Sequence, residues 1–253
     1  APMTDQHPVL PGAEPLSVAG GPVGVLVLHG FTGNPTSMRG LAEAMVAAGH
    51  TVEMPRLPGH GTHVDDMLRT SWADWSAAAE AALVDLEART DEVVVAGLSM
   101  GGSLTAWLAT RHPELSGIIC INPAVAAQPD MLAAVAAMVE AGETVMDGIG
   151  SDVAAPDVVE SAYDKVPLAP LLSMFEVAEE IVGDLGRIEC PLLLFTSPQD
   201  HVVPPTDSDL LAASVSGPVE RVSCDRSYHV ATLDLDKELI FERSVEFVGR
   251  VTA

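Results

Sequence analysis

Short, uninterrupted runs of apolar residues recur along the chain, and β-branched side chains are frequent in them. The clear runs cover Val23–Leu28 and residues 93–98, 118–121 and 192–195, and the weaker ones cover Thr51–Met54 and residues 219–222. The clear runs do not alternate with polar residues, and such continuity is typical of strands buried on both faces. The pattern predicts a mostly parallel sheet of about six to eight strands flanked by helices.

Helical patterns lie between these runs. Residues 71–89 place Trp72, Trp75 and further apolar side chains on one face of a helix, and we expect both tryptophans to pack in the core rather than to bind a ligand. Residues 35–48 and 236–251 carry two more helical patterns. The alternation of strand and helix predicts βαβ units with right-handed crossovers.

One long stretch, residues 124–187, breaks this alternation because it holds helical patterns and no convincing strand. Residues 131–139 are all apolar, but this run is shorter than the roughly 18 residues that a membrane span needs. A helix that is apolar on all sides has to be covered on more than one side, or it meets an apolar ligand. Residues 168–175 form a second apolar stretch.

These patterns predict a single α/β core with one insertion. We assign residues 1–123 and 188–253 to the core, and residues 124–187 to a small helical cap that follows the strand near residues 117–122. The cap would lie over the ends of the strands. A purely structural elaboration without contact to a ligand is the alternative.

The charge of the chain is unusual. It has 12 basic and 36 acidic residues, a formal net charge of −24, and only Lys165 and Lys237 as lysines. A surface this negative repels nucleic acid and anionic lipids, so we expect neither as a partner, and polyanionic substrates are also disfavoured. A role in solubility is the simplest explanation of the charge.

Cysteine content and the N-terminal sequence bear on the compartment. Cys120, Cys190 and Cys224 are too few for a disulfide framework, and a reducing compartment suits them. No run is long enough to span a membrane, and residues 1–22 lack the basic start and apolar segment of a signal peptide. We therefore expect a cytoplasmic protein, although a signal peptide removed before Ala1 would leave the same sequence.

The strongest motif is a G-x-S-x-G pentapeptide, Gly97 to Gly101, which directly follows the apolar run at 93–96 and precedes an amphipathic stretch at 102–111. Strand, pentapeptide and helix in this order are the setting of a nucleophile elbow. The turn is so sharp that residues two positions from the serine have to be small. The motif predicts that Ser99 is a nucleophile at a helix N-terminus, where developing negative charge is stabilised.

A serine hydroxyl needs a base to take its proton, and in this fold class the acid and then the histidine follow the serine along the chain. Asp200 comes in a turn after the strongest late strand, and His229 lies between the last weak strand and the closing helix. We predict Ser99 as nucleophile, Asp200 as acid and His229 as base, with the carboxylate orienting the imidazole.

Three other residues compete for these roles. His201 is a rival base, but it is adjacent to Asp200, and one carboxylate would not easily orient it. Asp225 and Asp234 are rival acids, and no strong strand presents either of them. We expect both to be solvated loop charges.

Two backbone N–H groups should stabilise the oxyanion of the tetrahedral intermediate. One is that of Met100, the residue after the nucleophile, and the other is that of Phe31, in the loop after the first clear strand. Gly30 and Gly33 allow this loop to turn tightly, and we expect His29 to be structural.

No metal site is expected from the sequence. His60 and His63 lie close together, but no third ligand accompanies them, so a turn with packed or exposed histidines is the simpler interpretation.

Four segments resemble the small bacterial carboxylesterases and monoacylglycerol lipases of the α/β-hydrolase superfamily: LVLHGFTGNPTSM, GLSMG, QDHVVPP and SYHVATLD. The resemblance extends from about Val23 to Phe247 and is weakest in the cap. It implies a cofactor-free serine esterase that acts on short- to medium-chain acyl esters or monoacylglycerols. It also implies the Ser99, Asp200 and His229 triad, with Phe31 and Met100 as oxyanion donors.

Other functions on the same fold remain open. A hydroxynitrile-lyase type of enzyme uses a similar triad but places a cationic or polar group near the serine, and Lys165 is the only lysine of the cap. A dehalogenase would need a carboxylate at position 99. A ligand receptor that keeps the triad without turnover, and acyl transfer to an alcohol, are the remaining alternatives.

Overall fold

The computed structural model describes residues 5–253. Its strands are β1 (Leu16–Val18), β2 (Val23–Leu28), β3 (Thr51–Met54), β4 (Glu92–Leu98), β5 (Gly117–Ile121), β6 (Val145–Asp147), β7 (Lys165–Pro167), β8 (Leu192–Thr196) and β9 (Val219–Ser223). A seven-stranded sheet has the order β1-β3-β2-β4-β5-β8-β9, and only β1 is antiparallel to its neighbour. β6 and β7 form a separate antiparallel hairpin.

The helices are α1 (Arg39–Ala47), α2 (Val64–Met67), α3 (Trp72–Glu87), α4 (Met100–Ala109), α5 (Pro129–Glu140), α6 (Leu168–Asp184), α7 (Thr206–Ser214) and α8 (Lys237–Val251). Short 3₁₀ turns cover Pro35–Ser37, Leu185–Arg187 and Ala231–Leu233. The predicted fold class, a mostly parallel sheet flanked by helices, is confirmed.

The two faces of the sheet explain why its strands are apolar throughout. In β2, Leu26 and Leu28 join the core layer that holds Trp75 and Leu83 of α3. The alternate residues of β2 join the opposite layer, which contains side chains of α1 and α8. Each fully buried aliphatic side chain stabilises the fold by about 1.5–3 kcal/mol, so both layers contribute strongly. Trp72 and Trp75 lie in the first layer, as the pattern predicts.

The predicted helix at residues 35–48 begins differently. Its first residues form the 3₁₀ turn Pro35–Ser37, and α1 starts at Arg39. The Asn34 side chain accepts a hydrogen bond from the backbone N–H of Thr36 (3.0 Å) and caps this turn. The Asn34 side chain therefore stabilises the 3₁₀ turn that precedes α1.

Several elements escaped the sequence patterns, including the four-residue helix α2. β1 and the β6–β7 hairpin have strands of three residues each, too short for a recognisable period. The hairpin also corrects the expectation that residues 124–187 contain no strand. α7 is mostly polar and buries Asp207 and Ser208 beside Leu211, so it lacks an apolar stripe.

Residues 124–187 connect β5 to β8 and hold α5, the hairpin and α6. α5 packs against α6 and buries only Val135, while Met131 remains 49% exposed. Of the two alternatives for this apolar helix, cover on more than one side does not hold for the protein on its own, and contact with an apolar ligand stays a prediction. Within residues 5–253, no helix is both long enough and apolar enough to cross a membrane.

The parallel register brings the functional loops to one edge of the sheet. Leu28 pairs with Gly97, Leu98 pairs with Ile121, and Ile121 pairs with Phe195. Since β2, β4, β5 and β8 are parallel, the residues that follow them meet at their carboxyl ends, where α/β sheets bind ligands.

Candidate active site

Ser99 sits on a strained turn between β4 and α4. Its φ is 58° and its ψ is −118°, a backbone conformation that residues other than glycine rarely adopt. The Ser99 N–H donates to the carbonyl of Ile121 (3.0 Å), and the Ser99 carbonyl accepts from the N–H groups of Gly102 (2.8 Å) and Ala124 (3.2 Å). These bonds hold the turn rigidly at the start of α4.

Close backbone packing explains the two glycines of the motif. A Cβ on Gly97 would lie 2.0 Å from the carbonyl oxygen of Gly101, and a Cβ on Gly101 would lie 2.2 Å from that of Leu28. Both obstacles are main-chain atoms, which cannot rotate away. The spacing of the pentapeptide is thus a steric requirement of the turn.

Asp200 and His229 form a buried hydrogen-bonded pair. His229 Nδ1 lies 2.7 Å from Asp200 Oδ2, and the two side chains are 8% and 2% exposed. The other carboxylate oxygen of Asp200 accepts the backbone N–H groups of Val202 and Val203 (2.8 Å each). Asp200 is therefore fixed in its own turn and can orient the imidazole so that Nε2 is free to take a proton.

Asn122 frames these loops, and no sequence pattern indicated it. It follows β5 with a positive φ of 42°, which asparagine tolerates better than most residues. Its side chain accepts from the Ser197 N–H (2.7 Å) and donates to the His229 carbonyl (2.8 Å). It thereby joins the loop of Asp200 to the loop of His229 at the end of β5, the strand next to β4.

The loop after β2 passes directly beside Ser99. A Cβ on Gly30 would lie 3.3 Å from the Ser99 Cβ and 3.8 Å from its Oγ. Within residues 5–253, the N–H groups of Phe31 and Met100 donate to no protein acceptor. The Met100 N–H is the first of α4, where helical N–H groups lack an intrahelical partner.

His29 and His60 are structural residues of this loop region. His29 Nδ1 donates to the Gly30 carbonyl (3.0 Å), and Nε2 accepts from the Leu57 N–H (3.1 Å). Burial lowers the pKa of His29 to about 4 and holds the pKa of His60 well below its ordinary value. Both imidazoles are consequently neutral and fill the core behind the loop.

The rival residues are engaged elsewhere. His201 Nδ1 lies 2.7 Å from Asp152 Oδ1, so a different carboxylate orients this ring. Asp234 is buried and accepts backbone N–H groups, including that of Tyr228 (2.8 Å), while Asp225 is exposed and accepts from the Ser223 hydroxyl. The expectation of a solvated charge is therefore wrong for Asp234.

Glu160 is a further ionisable group near the site, and sequence reasoning missed it. A Cβ on Gly33 would lie 3.1 Å from its Oε1. Burial raises the pKa of the Glu160 carboxyl, the nearby His229 opposes this effect, and the Asp152 carboxylate adds to it. Within residues 5–253 the Glu160 carboxylate accepts no protein hydrogen bond, so it is available to a polar ligand group.

A small apolar cavity lies between residues 124–187 and α4. It has a volume of about 20 Å³ and is lined by Trp72, Ser103, Ala124, Val125, Ala126, Met174, Phe175, Ala178 and Ile181. Ala124, one of the lining residues, donates its N–H to the Ser99 carbonyl, so the cavity lies close to Ser99. Its size suits roughly one water molecule, and an acyl chain would require the α6 side chains to move.

Two clusters in residues 5–253 have donor atoms close enough to hold a metal ion, and neither includes Ser99, Asp200 or His229. One is His7, His63 and Asp65, and the other is Glu87, His112 and Glu114. His63 therefore groups with the N-terminal segment, while His60 is buried.

The parallel sheet, the strained serine elbow and the Asp–His pair at one sheet edge define an α/β-hydrolase. The chain belongs to the Hydrolase_4 family, described as serine aminopeptidase S33, whose pattern matches residues 23–236. It is a serine hydrolase that acts on carboxylic esters, and the predicted family resemblance is confirmed.

Its relatives include two bacterial enzymes. The chain is 49% identical over 251 residues to a thermostable monoacylglycerol lipase from Bacillus sp. strain H-257, covering 98% of this chain and 99% of the relative. It is 24% identical over 242 residues to a carboxylesterase from Bacillus subtilis strain 168, covering 94% and 97% of the two chains.

Solved structures agree with this placement. A structure described with the metagenome-derived lipolytic enzymes LipS and LipT has a TM-score of 0.92 and 45% identity, covering 96% of this chain and 100% of that chain. The monoacylglycerol lipase of Paleococcus ferrophilus has a TM-score of 0.74 at 19% identity, covering 94% and 99%, and this likeness concerns the fold alone.

Proposed function

We propose that the chain hydrolyses monoacylglycerols and short- to medium-chain acyl esters through an acyl-enzyme on Ser99. The observation that carries the mechanism is the buried Asp200–His229 hydrogen bond at the edge of the sheet that presents Ser99. A strained serine and an oriented imidazole at the same sheet edge are the parts that nucleophilic acyl transfer requires.

In the first half of the reaction, His229 Nε2 takes the Ser99 hydroxyl proton as Oγ attacks the ester carbonyl carbon. The resulting oxyanion accepts hydrogen bonds from the N–H groups of Phe31 and Met100, which are free for this purpose. The tetrahedral intermediate then collapses, the C–O bond to the alcohol breaks, and His229 gives its proton to the departing alkoxide. Asp200 stabilises the transient imidazolium.

In the second half, water replaces the alcohol. His229 takes a proton from a water molecule while the water oxygen attacks the acyl carbon. The N–H groups of Phe31 and Met100 stabilise the second oxyanion. Collapse returns the proton to Ser99 Oγ and releases the carboxylic acid. The cycle consumes one water and needs no cofactor.

We further propose that residues 124–187 form a cap and that the cavity beneath it begins the acyl pocket. Its lining is mostly apolar, and the Ala124 N–H ties it to the Ser99 carbonyl. Trp72 limits the cavity on the side of the core: its ring is buried and meets Trp107 edge to face at 6.4 Å. The length of chain that fits depends on this ring.

Trp72→Ala should shift the preferred acyl chain to longer esters. Removing the indole opens space at the end of the pocket, and each added methylene that becomes buried gains about 0.8 kcal/mol of binding. A p-nitrophenyl ester series from acetate to palmitate measures the shift in kcat/KM. Val84→Ala on the exposed side of α3 is the matched control, and an unchanged chain-length optimum for Trp72→Ala would contradict this pocket.

The alcohol side of the substrate is proposed from Glu160 and from the charge of the protein. An unpartnered carboxylate near His229 can accept hydrogen bonds from the free hydroxyls of a glycerol ester. A monoacylglycerol is uncharged, so the net charge of −24 does not repel it. The Bacillus sp. relative is named for the same substrate class.

Glu160→Gln should selectively weaken the hydrolysis of monoacylglycerols. Hydrogen bonds to a charged group contribute about 1.5–3 kcal/mol, so we expect kcat/KM for a monoacylglycerol to fall roughly 10- to 100-fold. The methyl ester of the same fatty acid has no glycerol hydroxyls and should be hydrolysed at the unaltered rate. Equal losses on both esters would contradict the assignment of Glu160 to the glycerol group.

Substrate panels test the proposed function as a whole. We expect turnover of p-nitrophenyl esters and monoacylglycerols, and little turnover of aminoacyl p-nitroanilides, the substrates that the family's description suggests. In the lyase alternative, Lys165 would have to face the serine, but its ammonium pairs with Asp147 across the β6–β7 hairpin. Cyanohydrin cleavage without ester hydrolysis would overturn the proposal.

A cytoplasmic location is also proposed. Cys120, Cys190 and Cys224 are free thiols. Burial raises the pKa of Cys190 to about 11 and that of Cys224 to about 12, which keeps them protonated and unreactive. Cell fractionation of the native host tests the location.

A further inference from the structure

Asp152 is a buried carboxylate outside the triad, and the mechanism above does not use it. It lies between β6 and β7 and is 9% exposed. Its Oδ2 accepts the backbone N–H groups of His229 (3.0 Å) and His201 (3.1 Å), and its Oδ1 binds the His201 ring (2.7 Å). The two carboxylate oxygens of Asp152 therefore accept hydrogen bonds from two loops of the core, one at His201 and one at His229.

The two loops are those that carry the acid and the base. His229 is the base itself, and His201 directly follows Asp200. Because Asp152 Oδ2 binds the main chain of both loops, it fixes the separation between the loop of Asp200 and the loop of His229. The main-chain carbonyl of Asp152 also accepts the N–H of Val230 (3.1 Å), which adds a second tie on the base loop.

The loop of His229 also binds the segment around Asp152 in the opposite direction. Asp234 accepts the N–H groups of Ala154 and Ala155 (2.8 Å each) as well as that of Tyr228 (2.8 Å). The segment around Asp152 and the loop around His229 therefore hold each other from both sides. Neither can shift without breaking several buried hydrogen bonds, each costly to leave unmade.

From this geometry we propose that Asp152 is a positioning residue for the catalytic base: it holds the His229 backbone so that the ring, bound to Asp200, faces Ser99. This role rests on the proposed function. Its consequence is that residues 124–187 do more than cover a substrate, because the catalytic base is in place only while the segment at Asp152 is docked.

The electrostatics are consistent with a permanent carboxylate. Burial by itself raises the pKa of the Asp152 carboxyl, but the hydrogen bonds from His201 and His229 outweigh it and hold the pKa below its ordinary value. A charged acceptor makes these bonds stronger than neutral ones. An alanine at this position leaves the N–H of His229 without its acceptor, and an asparagine offers one neutral oxygen in place of two charged ones.

The test compares Asp152→Ala and Asp152→Asn with Asp157→Asn, an exposed aspartate in the same segment with a φ of 65°, which asparagine tolerates. Steady-state kinetics use p-nitrophenyl butyrate. Each preparation is titrated to completion with a fluorophosphonate, so that kcat is expressed per labelled site. This normalisation removes any effect of a smaller folded fraction.

We expect kcat per labelled site to fall by about 100-fold in Asp152→Ala and about 10-fold in Asp152→Asn, since small displacements of catalytic groups cost this much. KM should stay within about twofold, because the substrate does not touch Asp152. Asp157→Asn should match the wild type. If Asp152→Ala does not fold, the kcat per labelled site of Asp152→Asn alone decides whether Asp152 is a positioning residue.

Two results would overturn the proposal. One is a kcat per labelled site close to wild type in Asp152→Asn and, where it folds, Asp152→Ala, even if the variants melt earlier, since that is a purely structural role. The other is a rise in KM at constant kcat, which would place Asp152 in substrate binding. Failure of the proposed function looks different, because the wild type itself would then neither label at Ser99 nor hydrolyse the ester.

Discussion

Ser99→Ala lowers kcat for ester hydrolysis by about 10⁴–10⁶-fold and leaves the fold intact; this is the largest effect on activity that we expect. The hydroxyl is the attacking atom in the proposed mechanism, and no other side chain on the elbow can replace it. The backbone of residue 99 keeps its strained φ of 58° with alanine, so the turn itself does not change.

The measurement is steady-state hydrolysis of p-nitrophenyl butyrate, with circular dichroism to follow thermal unfolding. Ser223→Ala on the exposed side of β9 is the matched control and should retain full activity. Near-wild-type turnover by Ser99→Ala would mean that another group is the nucleophile.

Gly97→Ala should have the largest effect on stability. The new Cβ would lie 2.0 Å from the carbonyl oxygen and 2.2 Å from the carbonyl carbon of Gly101, and these main-chain atoms cannot move away without breaking the turn at Ser99. Overpacking of a close-packed site costs about 1–3 kcal/mol and occasionally more. We expect a loss of stability at the upper end of this range or beyond, because the clash is with the main chain. Soluble expression should fall, and any folded protein should have lost most of its activity.

Urea unfolding measures the loss of stability in Gly97→Ala, with Gly249→Ala as the matched control. Gly249 is an exposed residue within α8 and has nothing within 4 Å of a built Cβ. Alanine there should stabilise the protein by about 0.5–1 kcal/mol through helix propensity. An unfolding midpoint for Gly97→Ala equal to wild type would contradict the tight elbow.

The sequence predicts the parts of this protein that depend on periodicity or on a local motif. The strands β2, β4, β5 and β8 are buried on both faces, and this burial produces continuous apolar runs that can be recognised in the sequence. The turn at Ser99 can also be predicted from the sequence, because steric contacts dictate the spacing of its glycines. The triad and oxyanion roles follow from chain order and stay predictions until they are tested.

Residues that act over long sequence separations could not be predicted. Asn122 binds the His229 carbonyl across 107 positions, and Asp152 binds the His229 N–H across 77. Both are single polar residues in loops, with no period or motif around them. Glu160 likewise resembles any surface acid until the fold brings it beside Gly33.

The short elements were missed for a different reason. Strands of three residues, such as β1 and those of the β6–β7 hairpin, do not extend over a full pattern, and their pairing partners are set by tertiary contacts. The apolar composition of α5 leaves two alternatives, cover on several sides or contact with an apolar ligand, and composition alone cannot distinguish them; in the structure α5 packs against α6 and buries only Val135.

The central claim is that ester hydrolysis proceeds through Ser99, and labelling with a fluorophosphonate tests it most directly. Intact-mass analysis after labelling, followed by peptide mapping, should give one adduct per chain on Ser99, with ester hydrolysis lost in proportion and no adduct in Ser99→Ala. An adduct on a different residue, or full ester turnover by protein labelled at Ser99, would contradict the account.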